Sequence, residues 1–316
     1  MAMISRTDVS GMIPEPITRE IFEGVVAESA VLSMGRRLPD MTSGTQTLNV
    51  LDVLPTAYFT DADDGVKGTT KAAWAKKKLY AEELAVIVPI PEAVLDDAEY
   101  DIWDSVKPRI IEAFHKCIDG AILFGTNKPT SWRDGIFKGC VDAGNYVIST
   151  GDLFADIMGT SGVIAAVEED GYLPNGVVGE IALRAGLRGL TDQNGVPIFM
   201  ASLQGSNNYM LDGMPIFFPK NGGFDNSNCQ LIVGDFNELV YAVRQDITFK
   251  LLDQATIIDP SDNSVVYSLA QQDMVALRCV MRLGWEVPNP VNPINTATNP
   301  VTRFPFAILC NTDPTL

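Results

Sequence analysis

The sequence predicts an α+β fold, and three observations carry that expectation. Residues 15–37 and 101–124 repeat apolar side chains at helical spacing, which marks two amphipathic helices in the first half of the chain. Residues 46–54 alternate polar and apolar side chains, the period of a half-buried strand. Beyond residue 150, short apolar runs and short helical runs follow one another between Gly, Pro and Asn, a mixed α and β pattern.

Residues 1–13 have no periodicity and read as a flexible arm. A helix is expected from Glu15 to about Arg37. Pro16 suits its first turn, Ile17, Ile21 and Val25 recur every four residues, and Arg36 and Arg37 complement the helix dipole near its end. Pro39 then stops it. The strand of residues 46–54 leads into a charged, turn-rich stretch over 60–70, and residues 72–88 read as one long return strand. Two long strands around so polar a tip predict an extended hairpin. Its five lysines, Lys67, Lys71, Lys76, Lys77 and Lys78, stand out in an acidic chain. An isolated hairpin is only marginally stable in water, so a basic arm laid across an acidic neighbour explains these residues better than a free solvated arm.

Pro91 opens a short helix over residues 92–97. The long helix after it carries Ile102, Val106, Ile110, Phe114, Ile118 and Ile122 as one stripe. Pro108 inside it should bend or divide it, and Gly125 should end it. Farther on, residues 153–158 and 163–171 read as helix, residues 175–181 as a strand and residues 183–190 as helix. Residues 213–219 and 230–236 look like buried strands. A strand pair is expected at 239–244 and 247–252, and residues 272–287 are too long and β-rich for a loop. A Pro- and Asn-rich link covers 288–300 before a last strand over 304–309.

The formal charge of −17 argues against direct binding of nucleic acid, for which a basic surface is the expected footprint. The longest apolar runs fall far short of the roughly 20 residues that span a bilayer, and no apolar signal-peptide core follows the first residues. Cys117, Cys140, Cys229, Cys279 and Cys310 include no C-x-x-C pair and read as reduced packing thiols. His115 is the only histidine and lies in a helical pattern beside Lys116, so no Ser-His-Asp or Cys-His site has a second imidazole to draw on. No phosphate-binding loop is present, and the turns at Gly205 and at Lys220-Asn-Gly-Gly take Gly and Asn for their tolerance of positive φ. Asp61, Asp63 and Asp64 lack the downstream ligands of a calcium loop. No catalytic residue, cofactor or metal is expected.

The order of these parts resembles the major capsid proteins of tailed bacteriophages, the HK97-like family. The resemblance rests on Ile13-Pro-Glu-Pro-Ile17 with Glu28-Ser-Ala-Val-Leu32, and on Ala81-Glu-Glu-Leu-Ala-Val-Ile-Val-Pro-Ile-Pro-Glu92 leading into the long helix. Downstream it rests on Asp170-Gly-Tyr-Leu-Pro-Asn-Gly176, Leu211-Asp-Gly-Met-Pro-Ile216 and Val233-Gly-Asp-Phe236. It implies an N-terminal arm with helix over 1–45, an extended hairpin loop over 46–85, and a peripheral domain with a spine helix over 86–138. An axial domain over 139–250 would follow. Residues 251–303 would return through the peripheral domain, and residues 304–316 would give a last axial strand.

Some members of that family join an extended-loop lysine to a peripheral-domain asparagine, with a glutamate assisting. Asp273 falls at the acceptor position and Val280 at the glutamate position. An aspartate has no amide leaving group and a valine moves no proton, so a shell without covalent links is expected. The chain begins directly at the arm, which implies either a separate scaffold or a mature form.

The function so implied is a subunit that assembles into hexamers and pentamers of an icosahedral shell around double-stranded DNA, without sequence-specific binding. Scaffolding and portal proteins, and conceivably a decoration protein, are the implied partners, with the virion as location and the bacterial cytoplasm as the place of assembly. An encapsulin-type compartment around protein cargo is the alternative. A soluble carboxylate hydrolase is the third and weakest reading.

Overall fold

A long helix laid across one sheet, with a second sheet stacked beside it, organises the chain. The computed structural model describes residues 28–59, 67–97, 102–190, 210–259, 261–295 and 302–314. The expected arm, most of the helix from Glu15, the run of Asp61, Asp63 and Asp64, and the turn at Gly205 lie outside them.

The described chain enters on helix α1 (Ala30–Met34) and strand β1 (Arg36–Arg37). Helix was expected through Arg37; it stops two residues earlier. Gly35 turns the backbone extended at φ −70° and ψ 154°. Arg36 N–H then donates to Leu239 O at 2.8 Å, so a strand edge takes up the backbone in place of another helical turn. Next come β2 (Thr45–Val53), β3 (Ala73–Tyr80), β4 (Glu82–Pro91) and α2 (Glu92–Asp97). The expected single return strand over 72–88 is therefore two strands. β3 pairs with β2, while β4 leaves for another sheet, and Ala81 between them donates its N–H to Gly44 O at 2.9 Å.

Helix α3 (Ile102–Asp119) runs through Pro108 without being divided. The carbonyl of Asp104, which loses its helical donor to the proline, belongs to an exposed residue where water can serve it. The last turn, Gly120–Phe124, is π-helical and ends on Gly125 at φ 75°. Ile110, Phe114, Ile118 and Ile122 are buried, as the stripe requires.

Then follow α4 (Ile136–Ala143), β5 (Tyr146–Ile148), α5 (Leu153–Met158), α6 (Val163–Glu169), β6 (Gly176–Gly179) and α7 (Leu183–Arg188). The remaining elements are β7 (Met210–Leu211), β8 (Met214–Phe217), β9 (Cys229–Gly234), β10 (Val240–Leu252), β11 (Thr256–Ile258), β12 (Val265–Ser268), β13 (Met274–Glu286) and β14 (Phe306–Cys310). The strand pair expected at 239–252 is one strand, β10. Its register against β13 shifts on either side of Gln245, and no residue there takes the positive φ that a tight hairpin turn demands. The hairpin β11–β12, the helix α4 and the short strand β5 were not anticipated from the sequence.

One four-stranded sheet has the order β1-β10-β13-β4, with only β1–β10 parallel. Pro89 and Pro91 sit in β4, an edge strand, where a missing N–H costs no ladder bond. The six-stranded sheet has the order β5-β14-β9-β6-β8-β7. Its central strands are covered on both faces, which explains their unbroken apolar runs. Ile232, Ile308 and Val178 face the core shared with α3 and with Leu277, Cys279, Met281 and Trp285 of β13. Leu231, Val233, Ala307 and Leu309 face the core built with α6 and α7.

Candidate assembly interface

The β2–β3 hairpin is a two-stranded sheet of its own, and its alternation sorts its side chains onto two faces. The inner face carries Val50, Leu79 and Lys77. Leu79 is fully buried against Met41 and Ala242, with Leu38, Leu48 and Ala81 around them. This small cluster, separate from the two main cores, seats the hairpin on the body. Polar bonds reinforce it: Trp132 Nε1 donates to Tyr80 O at 2.9 Å, and Val291 N–H donates to Leu51 O at 3.0 Å. Gly284 is required at the seat, since a Cβ there would lie 2.7 Å from Tyr80 O.

The outer face presents Trp74, Lys76, Lys78 and Tyr80, opposite Leu51, Asn49, Thr47 and Thr45. Trp74 remains 66% exposed, which leaves a large apolar ring with no cover from its own chain. Lys67 and Lys71 are exposed in the segment before β3.

The five hairpin lysines therefore do not form one basic surface. Lys77 turns inward, and its Nζ donates to Val287 O at 3.1 Å. Burial lowers its pKa from the ordinary lysine value; Glu286 opposes that shift and Arg133 adds to it. The Arg133 guanidinium donates to Glu286 Oε1 at 2.8 Å and to the same Val287 O at 3.1 Å, and lies over the ring of Phe304 at 5.4 Å. Lys77, Lys78, Arg133, Asp142, Glu286 and Phe304 line a cavity of about 470 Å³ under the hairpin base.

Asp273 stands exposed at the head of β13 with φ 48°, and its carbonyl accepts from Glu92 N–H at 2.9 Å. Val280 is buried between β4 and β10, opposite Ala85 and Thr248. Trp74, Tyr80 and Arg133 were missed in the sequence. A signal was available for the first two, because positions 74, 76, 78 and 80 share one face of any strand through them. Arg133 gave none, since its partners come from β13 and the link that follows.

The cysteines are free, four of them buried, and burial pushes the Cys140 and Cys229 thiols well up and Cys310 up to about 11. Among the described residues no group of three His, Cys, Asp or Glu is placed to hold a metal, and no helix is long and apolar enough to cross a membrane.

A spine helix over an antiparallel sheet, a stacked mixed sheet and a projecting hairpin define a shell-forming subunit of HK97-like α+β fold. The chain belongs to the Phage capsid family, whose profile matches residues 10–297. It is 27% identical over 279 residues to the major capsid protein of Staphylococcus phage 80alpha, covering 88% of this chain and 82% of that protein. A solved structure from Microbacterium phage Oxtober96 superposes with a TM-score of 0.81 at 32% identity, covering 98% of this chain and 99% of the other. One from Mycobacterium phage Adephagia gives 0.80 at 30% identity, covering 98% of each.

Proposed function

We propose that this chain is the major capsid protein of a tailed phage, a structural subunit that builds a closed shell from copies of itself. The observation that carries this reading is the hairpin's outer face. Trp74, Lys76, Lys78 and Tyr80 project from an arm held only at its base, a geometry that needs a second copy to cover it. The overall acidity of the chain supplies a complementary surface for the two lysines.

The finer picture follows the family. Hexamers and pentamers close an icosahedral shell around double-stranded DNA in the virion, after assembly in the bacterial cytoplasm. Scaffolding and portal proteins take part, and a decoration protein has the exposed outer surface available. The arm would occupy residues 1–45. Strand pairing supports ending the extended loop at Tyr80 and dividing the axial from the peripheral domain near Leu239, since β10 pairs with β13. Asp273 and Val280 lack the groups for a lysine cross-link, so the shell holds by contacts alone. An encapsulin-type compartment is disfavoured, because the relatives described above are phage proteins.

The test is a double charge reversal, Lys76→Glu with Lys78→Glu, which leaves the inner face and its seat untouched. Particle yield, read by sedimentation, should fall at least about tenfold while the unassembled subunit melts as before. Normal yield would remove the basic face from the account.

A further inference from the structure

Asp119 is fully buried at the end of α3, where the helix widens into its π-helical turn. Its carboxylate gathers four donors from two distant segments. Ser29 Oγ donates at 2.6 Å, Ala30 N–H at 3.0 Å and Val31 N–H at 3.1 Å, while Asn221 Nδ2 donates at 2.7 Å. The set is closed on itself. Ser29 Oγ accepts from Leu32 N–H at 3.2 Å, and Asn221 Oδ1 accepts from Gly223 N–H at 2.9 Å. Gly223 presses on the same helix turn, since a Cβ there would stand 2.8 Å from Lys116 O and 3.0 Å from Asp119 Cβ.

Helix α1 has five residues, too few to hold itself, and its first N–H groups have no partner within the helix. A carboxylate from another helix supplies the missing acceptor, so the placement of α1 is set by Asp119. Everything before Ser29 leaves the subunit body from that point.

We infer that Asp119 is a positioning residue for assembly: it fixes where and in which direction the segment before Ser29 departs, and so where that segment meets a neighbouring copy. This rests on the shell reading. No neighbour touches the carboxylate in the single chain; its action is through α1.

The test uses the full-length chain with three changes: Asp119→Asn, the swap Asp119→Asn with Asn221→Asp, and Ser29→Ala. The amide turns one acceptor into a donor facing the Ala30 N–H and the Asn221 amide, and the swap restores the 119–221 pair. Limited proteolysis before assembly should cut residues 28–34 about tenfold faster in Asp119→Asn, the scale expected for hydrogen bonds to a charged group. The same variant should give misshapen or no closed particles, and the swap should recover much of both. Ser29→Ala, which removes one donor and leaves the carboxylate, serves if Asp119→Asn does not fold, with a smaller shift in the same direction. Wild-type cleavage rates, or faster cleavage with normal particles, would overturn the inference. A wild-type chain that never forms particles counts against the shell reading instead, and the cleavage comparison still judges the Asp119 anchor.

Discussion

Replacing Leu79 with alanine should release the hairpin while leaving the rest of the subunit folded. Leu79 is fully buried, yet its cluster holds only Met41 and Ala242 at full burial, with Leu38, Leu48 and Ala81 partly exposed around them. Truncating a buried leucine costs about 2–5 kcal/mol, rising with the cavity left behind. This small, half-wet cluster can collapse, which places the cost near the lower end, about 2–3 kcal/mol. Because the cluster is separate from both main cores, that energy acts on local opening and not on global unfolding. It corresponds to roughly 30- to 150-fold more of the open form. Hydrogen exchange read by mass spectrometry on the unassembled chain should show that acceleration in peptides from β2 and β3, with β9 and β14 unchanged. Equal acceleration in β9 and β14, or none in the hairpin, would refute a separately seated arm.

Lys77→Met should raise stability near neutral pH. Burial lowers the folded pKa of Lys77, so the folded chain binds its proton less tightly than the unfolded one. The penalty is constant below the folded pKa and fades as pH climbs toward the ordinary value of 10.5. The variant loses that alkaline rise, and Arg133 still serves Val287 O; urea melts across alkaline pH check the slope. Arg303→Met should cost about 3 kcal/mol. Arg303 is 2% exposed, and its guanidinium donates to Asn289 Oδ1 at 3.2 Å and Asn295 O at 3.0 Å, holding the Pro- and Asn-rich link to the body. Tyr172, whose hydroxyl donates to the same Asn289 Oδ1 at 2.7 Å, is pushed up to about 12 by burial and stays neutral in that network. A urea midpoint unmoved by Arg303→Met contradicts the link's dependence on it.

Much of the fold was legible because periodicity reports local structure. The stripe from Ile102 to Ile122 and the alternation of residues 46–54 both appear as helix and strand where their spacing put them. What failed was decided by pairing at a distance. Residues 72–88 read as continuous strand, but Gly44 and Gly284 draw the chain to a break at Ala81 that no local signal marks. Residues 239–252 read as a hairpin, and the long partner β13 keeps them as one bulged strand. The lysine cluster was visible in composition, while its division into outward Lys76 and Lys78 and inward Lys77 required the strand register. Asp119 carried no signal, because its four donors lie 88 or more residues away in sequence.

Electron microscopy of the purified, assembled chain tests the central claim most directly. The account predicts closed shells of uniform size that fall apart in boiling detergent to single, unlinked chains. A discrete monomer under every assembly condition, with no closed particle in any field, would contradict it.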